Sequence, residues 1–392
     1  MLIRILTYFV PFAVNILTGG FFFITALRFA QAGASGVMVG GNIAFWGITY
    51  CVCSIIISRI ARVSNALPLI LAGGCLLSVA SLGLAFCGLY MQYCWMVVAG
   101  IGTALFCAPF QLFAKAISGS AKSSGAVEAA AFYTMTWSFG FATGPLIFAR
   151  LSGRAGCFVC FAFALAVVIG VLFIAFSLRK KKPAGDAPPP EEENVLAEKG
   201  YDKFARLARM GWFIGGCGTI AVCQFRSMWP KLGEELTLSQ SHIACVLAVI
   251  SYTQGLTGLA LCRSKTWMFR RMPAIGMYSL GIAALTLLVF GRELWGFYAA
   301  GLCFGIYCGC MYFSLVYYSL AHPVRSNFFI AGNETVVGIT NMSAPLIGGA
   351  VVDYFCTAKA AFVFAALILL IALSVQLWVL TSLKARASES LS

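Results

Sequence analysis

Residues 155–178 read AGCFVCFAFALAVVIGVLFIAFSL, a run without a charged side chain that is long enough to cross a bilayer as one helix. Uncharged runs of similar length recur along the chain, for example at 236–262 and 294–324. Hydrophobic residues make up 61% of the sequence and charged residues 10%, whereas soluble domains carry about 25% charged residues. The sequence therefore predicts an all-α integral membrane protein with twelve transmembrane helices.

One long polar segment interrupts this pattern. Residues 179–182 are RKKK and residues 188–193 are PPPEEE, and such clusters of proline and charge favour an extended linker. We therefore expect a first six-helix bundle at 1–178, a cytoplasmic linker at 179–209, and a second six-helix bundle with a short cytoplasmic tail at 210–392. The two bundles are predicted to be pseudo-symmetric, because each carries a proline in its fifth span, Pro145 and Pro345.

The net charge of +14 is predicted to set the membrane topology and not to bind nucleic acid. With both termini cytoplasmic, most of the 27 Lys and Arg residues fall in cytoplasmic segments, in agreement with the positive-inside rule. We expect a multi-pass protein of the cell inner (cytoplasmic) membrane whose surplus charge contacts the lipid bilayer. The basic residues left on the predicted outer side are Arg28, Arg150, Arg154, Arg226, Lys231, Arg292 and Lys359.

The cysteines and histidines do not form a pattern typical of a metal or cofactor site. Most of the 16 cysteines lie in apolar runs, where Cys behaves as a small hydrophobic residue. Pairs such as Cys157 and Cys160 lack a second pair of ligands, and the histidines are His242 and His322 alone. There is also no phosphate loop and no pair of acids at helical spacing within a span. The sequence predicts neither a cofactor nor an enzyme.

Six plus six spans around a central loop resemble the major facilitator superfamily over nearly the whole chain. The loop between the second and third spans of that family reads Gly, three residues, Asp, a basic residue, one residue, Gly and two basic residues. Arg59 and Arg62 fall in register with it, although Ser58 replaces the Asp, and Arg263 and Lys265 are the bases of the second-half copy. The resemblance implies that these residues form a conformational loop whose charge relay lacks its acid.

The fifth span resembles the antiporter motif of the family, and the eleventh span carries part of it. The matching residues are Gly140, Gly144 and Pro145 in the first copy, and Pro345, Gly348 and Gly349 in the second. The resemblance implies a monomeric secondary transporter that moves a small solute by alternating access, coupled to protons, and the motif favours export of an amphiphilic compound. The alternatives are an uptake symporter for a nutrient or an organic anion and, outside transport, a membrane receptor or scaffold.

Glu334 is a lone carboxylate inside the eleventh predicted span. An ionised acid in hydrocarbon costs a few kcal/mol, by about +2.5 to +3.5 on insertion scales for comparable charged residues. We therefore expect Glu334 to be neutral in at least one state and to face the central cavity, where it can exchange a proton during substrate binding. Two interpretations remain open, a proton-coupling residue and a structural hydrogen bond between helices.

Other polar and aromatic residues deep in the spans are candidates for lining the cavity. They are Asn15, Asn42, Trp46, Tyr50, Tyr133, Trp137, Gln254 and Asn341. Among them, Asn42, Trp46 and Tyr50 lie at positions i, i+4 and i+8, on one face of the second span.

Arg28 and Arg226 are predicted near the outer ends of the first and seventh spans, the latter span running from 210 to 230. Their matching placement leaves two interpretations. They either anchor the helices by reaching the lipid headgroups, or they attract an anion at the outer mouth of the cavity.

Overall fold

The computed structural model describes residues 2–118, 123–151, 153–178, 202–261, 266–320 and 326–389. Twelve α-helices account for nearly all of these residues. They are α1 Leu2–Gln31, α2 Gly36–Ile60, α3 Ala66–Phe86, α4 Gln92–Ser118, α5 Ser123–Arg150, α6 Gly153–Leu178, α7 Asp202–Glu235, α8 Gln240–Leu261, α9 Arg271–Phe290, α10 Leu294–Leu320, α11 Ser326–Phe355 and α12 Lys359–Glu389. The predicted linker lies outside the described residues as far as residue 201, and α7 begins within its last part.

Nine helices of the described chain are long and apolar enough to cross a membrane. The other three are α4, which has a shorter apolar stretch at Gln92–Cys107, together with α5 and α7. In α7 the polar residues Gln224 and Arg226 interrupt the apolar run. Both residues pack against other helices, so the lower apolarity of α7 reflects its central position.

The two halves use the same set of helix contacts. In the first half α1 packs on α5 and α6, α3 packs on α4 and α6, and α2 packs on α4. In the second half α7 packs on α11 and α12, α9 packs on α10 and α12, and α8 packs on α10. Each of these five contacts in the first half therefore corresponds to a contact six helices later in the second, as in a structural duplication. Across the halves the main contacts are α2 with α11 and α5 with α8, which are equivalent in the same sense.

Glycines allow α2 and α11 to approach closely along their length. A Cβ atom at Gly40 would collide with the carbonyl oxygen of Pro345, and one at Gly47 would lie 2.6 Å from the backbone of Asn341. Small residues at such crossings let membrane helices pack backbone to backbone. The two halves therefore meet along an extended interface without large side chains between them.

Polar contacts between the halves close one end of the bundle, the end that carries the α1–α2 loop. The carboxylate of Asp353 on α11 accepts hydrogen bonds from the first backbone N–H groups of α2, including that of Val37 at 3.0 Å. The Nζ atom of Lys231 donates to the carbonyl oxygen of Ala34 at 2.7 Å. A carboxylate at a helix N-terminus is favoured by the helix dipole. Each of these contacts joins one half to the other and must break if the halves separate here.

Gly144 is expected to be intolerant of any side chain. A Cβ atom there would collide with the backbone of Gly20 and Ile16, where α5 crosses α1. We expect Gly144→Ala to destabilise the protein by about 1–3 kcal/mol, the usual penalty for overpacking. The measurement is the apparent melting temperature of the purified protein in detergent.

Gly276 provides the matched control for that substitution. It is exposed on α9, and no heavy atom lies within 4 Å of a Cβ built on it. Gly276→Ala should therefore leave the melting temperature unchanged or raise it, because alanine favours the helix. Equal effects of the two substitutions would show that the close approach of α1 and α5 is not needed for stability.

Candidate solute-binding site

A cleft lies between the two halves, where α1 and α5 face α7, α8 and α10. Its lining is mostly aromatic and aliphatic, and Arg226 is the one charged residue among the residues that line it. The close contact of Gly19 with the backbone of Phe141 brings α1 and α5 together at this level. The residues that line the cleft are Gly19, Phe22, Phe23, Phe141, Pro145, Val222, Phe225, Arg226, Leu247, Ile250, Ser251 and Phe304.

Arg226 lies in this cleft and contacts the opposite half. The carbon atom of its guanidinium group is 3.9 Å from the centroid of the Phe141 ring, a cation–π contact from α7 to α5. Its Nη2 atom is buried and has no hydrogen-bond partner in the described structure. At 1.5 Å per residue, Arg226 lies about 14 Å from the end of α7 at Glu235. The guanidinium group is therefore held inside the protein and away from the helix end.

A row of aromatic rings leads away from Arg226. The Phe141 and Phe22 rings meet edge to face with centroids 5.6 Å apart, and the Phe22 and Trp46 rings meet in the same way at 5.0 Å. Trp46 then stacks on Tyr50, with centroids 4.8 Å apart and ring planes 6° from parallel. The face of α2 that carries Trp46 and Tyr50 thus continues an aromatic surface contributed by α1 and α5.

Glu334 lies at the far end of this row. The hydroxyl group of Tyr50 on α2 donates a hydrogen bond to Oε2 of Glu334 on α11 at 2.8 Å, so this contact joins the two halves. Glu334 is half-buried. Along α11 it lies about 28 Å from Asp353 and about 12 Å from the start of the helix at Ser326. Because Cys223 of α7 contacts Asn341 of α11, helix rise places Arg226 and Glu334 about 15 Å apart in depth.

A second group of contacts joins α5 to α8 and α10. The Nε2 atom of Gln254 donates to Oγ of Ser138 at 2.8 Å, and both side chains are buried. The rings of Trp137 and Tyr312 meet edge to face at 5.4 Å. The structure therefore places Gln254 and Trp137 at the interface between the halves. The neighbouring Tyr133 lies on α5, but its side chain is outside the described part of the structure.

The three candidate asparagines are tied mainly to helix backbones. Asn15 and Asn341 each donate at 2.8 Å to the carbonyl oxygen four residues earlier in their own helices. Asn42 is fully buried and donates to the carbonyl oxygen of Thr25 at 3.5 Å. Asn341 also accepts a hydrogen bond from the thiol of Cys223. These contacts indicate a role in helix packing for Asn42, while Asn341 helps to join α7 to α11.

Arg28 and Arg226 have different surroundings, and the structure does not bring them together. The Nη1 atom of Arg28 donates to the carbonyl oxygen of Leu84 at 3.0 Å and lies 3.5 Å from Oε1 of Gln92. Arg28 therefore links α1 to the ends of α3 and α4 within the first half. Arg226 is deeper than the sequence predicts, because α7 continues through Pro230 to Glu235.

The remaining candidates belong to the loop and to the motif helices. Arg59 lies in the last turn of α2 and Arg62 just after the helix, and both are exposed, while Arg263 and Lys265 lie outside the described residues.

The motif glycines make close helix contacts in both halves. A Cβ atom at Gly140 would collide with the carbonyl oxygen of Phe12, one at Gly348 with the side chain of Gln224, and one at Gly349 with the backbone of Gly36. Pro145 lines the cleft, whereas Pro345 packs against α2. The motif residues therefore act in this structure through helix packing.

Sequence reasoning missed several residues of the cleft, above all Phe22, Phe141 and Ser251. A phenylalanine in an apolar span carries no sign of whether it faces lipid, core or solute. One available signal was the pair Gly19 and Gly20 directly before three consecutive phenylalanines, because such pairs mark places where another helix approaches. That signal does not identify the helix that approaches.

No protein-family model and no curated protein sequence matches the chain. Solved structures do match. The nucleoside transporter NupG has a TM-score of 0.68 at 11% sequence identity, with 96% of this chain and 99% of that chain covered. The human organic anion transporter MFSD10 (TETRAN) has a TM-score of 0.64 at 13% identity, with 94% and 98% covered. The prediction of an all-α fold of twelve helices is thereby confirmed, and the chain has the major facilitator fold of these two transporters.

Proposed function

We propose that this chain is a secondary active transporter that moves a small solute by alternating access, with the two halves rocking about the cleft. The observation that supports this proposal is a cleft between the two halves, lined by aromatic residues and one charged residue. Polar contacts that can break join the halves at one end. Lys231 and Asp353 supply those contacts, and Arg226 lies beneath them. Separation of the halves at this end would expose Arg226 to the solution on that side.

Glu334 supports coupling to protons. It contacts the first half through Tyr50, so a change in its protonation acts directly on a contact between the halves. A protonated carboxyl group is neutral and an ionised one is costly to hold among apolar residues, so movement between the two states can accompany rocking. In this proposal Glu334 carries the proton and the cleft around Arg226 carries the solute.

The two similar structures support transport but differ in solute, since one is a nucleoside transporter and the other an organic anion transporter. Export of an amphiphilic compound is favoured by the motif at Gly144 and Pro145. Movement of an organic anion is favoured by the cation at Arg226, whose buried Nη2 atom has no hydrogen-bond partner in the described structure. A receptor or scaffold with this fold would move neither.

The proposal includes a topology. The distribution of basic residues supports an orientation with the α1–α2 end on the outer side of the inner membrane and both termini in the cytoplasm. In that orientation the structure is closed to the outside. Residues 1–178 and 210–392 are then the moving bundles of a monomer, and 179–209 is the cytoplasmic linker between them.

A flux measurement in proteoliposomes tests the proposal. The purified chain is reconstituted into liposomes. The liposomes are loaded in turn with nucleosides, aromatic carboxylates, amino-acid derivatives and amphiphilic cations. We expect saturable exchange of labelled solute for one of these classes, and accumulation of the same solute when a pH gradient is imposed. Exchange tests alternating access, and its response to the gradient tests coupling to protons.

Two controls define the outcome of that measurement. Protein-free liposomes report passive leak, and liposomes with heat-inactivated protein report binding to the membrane. Saturable exchange without accumulation would retain the transporter and reject proton coupling. Absence of exchange for every class would contradict transport and favour the receptor or scaffold.

A further inference from the structure

Arg226 is a half-buried cation whose Nη2 atom is buried, and it has no counterion in the described part of the cleft. Its Nη2 atom has no hydrogen-bond partner, and none of the residues that line the cleft is acidic. Cys223, Cys308 and Tyr312 lie near Arg226, and none of them is an acidic side chain. A buried charge that lacks a partner is strongly unfavourable, and within a membrane it usually marks a functional site.

Neither an ion pair with an acid nor contact with the lipid headgroups accounts for the position of Arg226. Glu334 hydrogen-bonds Tyr50 and lies about 15 Å away in depth, so it does not neutralise Arg226. The side chain does not reach for the lipid headgroups either, because its guanidinium group lies over Phe141 in the opposite half. Arg226 is thus directed into the cleft and towards the interface between the halves.

The geometry leaves part of the guanidinium group free to bind a ligand. Its carbon atom lies 3.9 Å from the centroid of the Phe141 ring, and this cation–π contact gives the N–H groups no hydrogen-bond acceptor atom. The N–H groups along the edge, including the buried Nη2, remain as donors. Two neighbouring N–H groups match the spacing of the oxygen atoms of a carboxylate, sulfonate or phosphate.

The lining of the cleft suits a flat apolar molecule, but in this structure the cavity is only about the size of one water molecule, so the halves must move apart to admit such a solute. Phe22, Phe225 and Phe304 line the cleft together with aliphatic side chains, and the hydroxyl group of Ser251 is the other polar side-chain group in the lining. Aromatic side chains favour offset or edge-to-face contact with another ring. A solute with one anionic group and a planar apolar part would place the first at Arg226 and the second among the phenylalanines.

We infer that Arg226 binds the anionic group of an organic anion whose planar apolar part packs against the phenylalanines of the cleft. This inference rests on the proposed function, since it takes the cleft as the path of the solute, and it names the class of that solute. It also explains why an unpaired charge is retained, because the bound anion supplies the missing partner.

The test uses three probes with the same ring system, naphthalene-2-carboxylate, naphthalene-2-sulfonate and the uncharged naphthalene-2-carboxamide. Binding to the purified full chain in detergent is measured by the shift in melting temperature with probe concentration. We expect the two anions to stabilise the wild type and the carboxamide to bind at least about tenfold more weakly, which is the usual effect of losing a charge-assisted hydrogen bond.

Two substitutions and one control locate the binding to Arg226. Arg226→Gln should remove the preference for the anions, and Arg226→Lys should weaken their binding about tenfold because the planar fork is lost. Arg28→Lys should leave it unchanged, since Arg28 is bonded outside the cleft. Without any probe, Arg226→Gln should keep or raise the melting temperature, because it removes an unpaired buried charge. An arginine with a purely structural role would lower it.

The outcomes separate this inference from the proposed function. Equal binding of carboxylate and carboxamide, or unchanged anion binding by Arg226→Gln, would overturn the anion site even if the flux measurement showed transport. Failure of both anionic probes to stabilise the wild type at millimolar concentration would also overturn it. Arginine-dependent anion binding together with no flux would support the site and reject transport.

Discussion

Glu334→Gln is expected to abolish solute accumulation driven by a pH gradient and to preserve exchange of solute across the membrane. Glutamine keeps the shape of the side chain and can accept the hydrogen bond from the Tyr50 hydroxyl group, which the structure shows at 2.8 Å. It cannot release or take up a proton. If proton movement at residue 334 drives rocking of the halves, accumulation should fall to the equilibrium level while labelled solute still exchanges at a rate close to that of the wild type.

Tyr50→Phe is the matched control for this substitution. It removes the other half of the same hydrogen bond and leaves the carboxyl group in place. If Glu334 only supports the structure, Glu334→Gln should keep the hydrogen bond and still accumulate solute, whereas Tyr50→Phe should lower the free energy of unfolding by about 0.5–1.5 kcal/mol for the lost hydrogen bond. If Glu334 couples protons, Tyr50→Phe should still accumulate solute. Normal accumulation by Glu334→Gln, with the pH dependence of the wild type, would reject the coupling role.

The helices and one face of α2 were predictable because their signals are local. Long uncharged runs define the helices, and the spacing of Trp46 and Tyr50 places them on one face, where they stack in the structure. The repeated proline of α5 and α11 indicated the duplication, and the helix contacts of the two halves correspond accordingly. These features depend on residues within a few turns of one another.

The contacts between the halves were not predictable from one sequence. Tyr50 and Glu334 are 284 residues apart, and no local pattern shows which helix faces α11. The depth of Arg226 was missed for a different reason. The sequence favours a span that ends near Pro230, but the helix continues past this proline. A membrane helix tolerates proline where neighbouring elements satisfy the freed backbone groups, so proline is a weak marker of its end.

A reversible disulfide across the closed end is expected to stop transport completely. A Cβ atom at Gly36 of α2 would lie 2.9 Å from the Cβ atom of Val352 on α11 and 2.6 Å from the carbonyl oxygen of Gly349, whereas disulfides join Cβ atoms about 3.5–4.5 Å apart, so α2 and α11 must move slightly apart to accept the cysteine and to form the bond. A small shift therefore permits a bond in the Gly36→Cys, Val352→Cys double variant. Because the bond ties one half to the other beside the contact of Asp353, it should hold the α1–α2 end shut.

A second cysteine pair within one half provides the matched control. A Cβ atom at Gly73 of α3 would lie 3.3 Å from the Cβ atom of Leu105 on α4, and both helices belong to the first half. The Gly73→Cys, Leu105→Cys double variant should also oxidise, yet its transport should be unaffected, because the halves are expected to move as units. The chain has 16 native cysteines, so the parent protein and the four single variants receive the same oxidation.

The most direct test of alternating access measures the exchange of labelled solute by the Gly36→Cys, Val352→Cys protein. The measurement is made before oxidation, after oxidation and after reduction. The account predicts exchange in the first state, loss to the level of protein-free liposomes in the second, and recovery in the third. Full exchange by the oxidised protein, with the disulfide verified by mass spectrometry, would contradict the account, because the α1–α2 end would then not need to open.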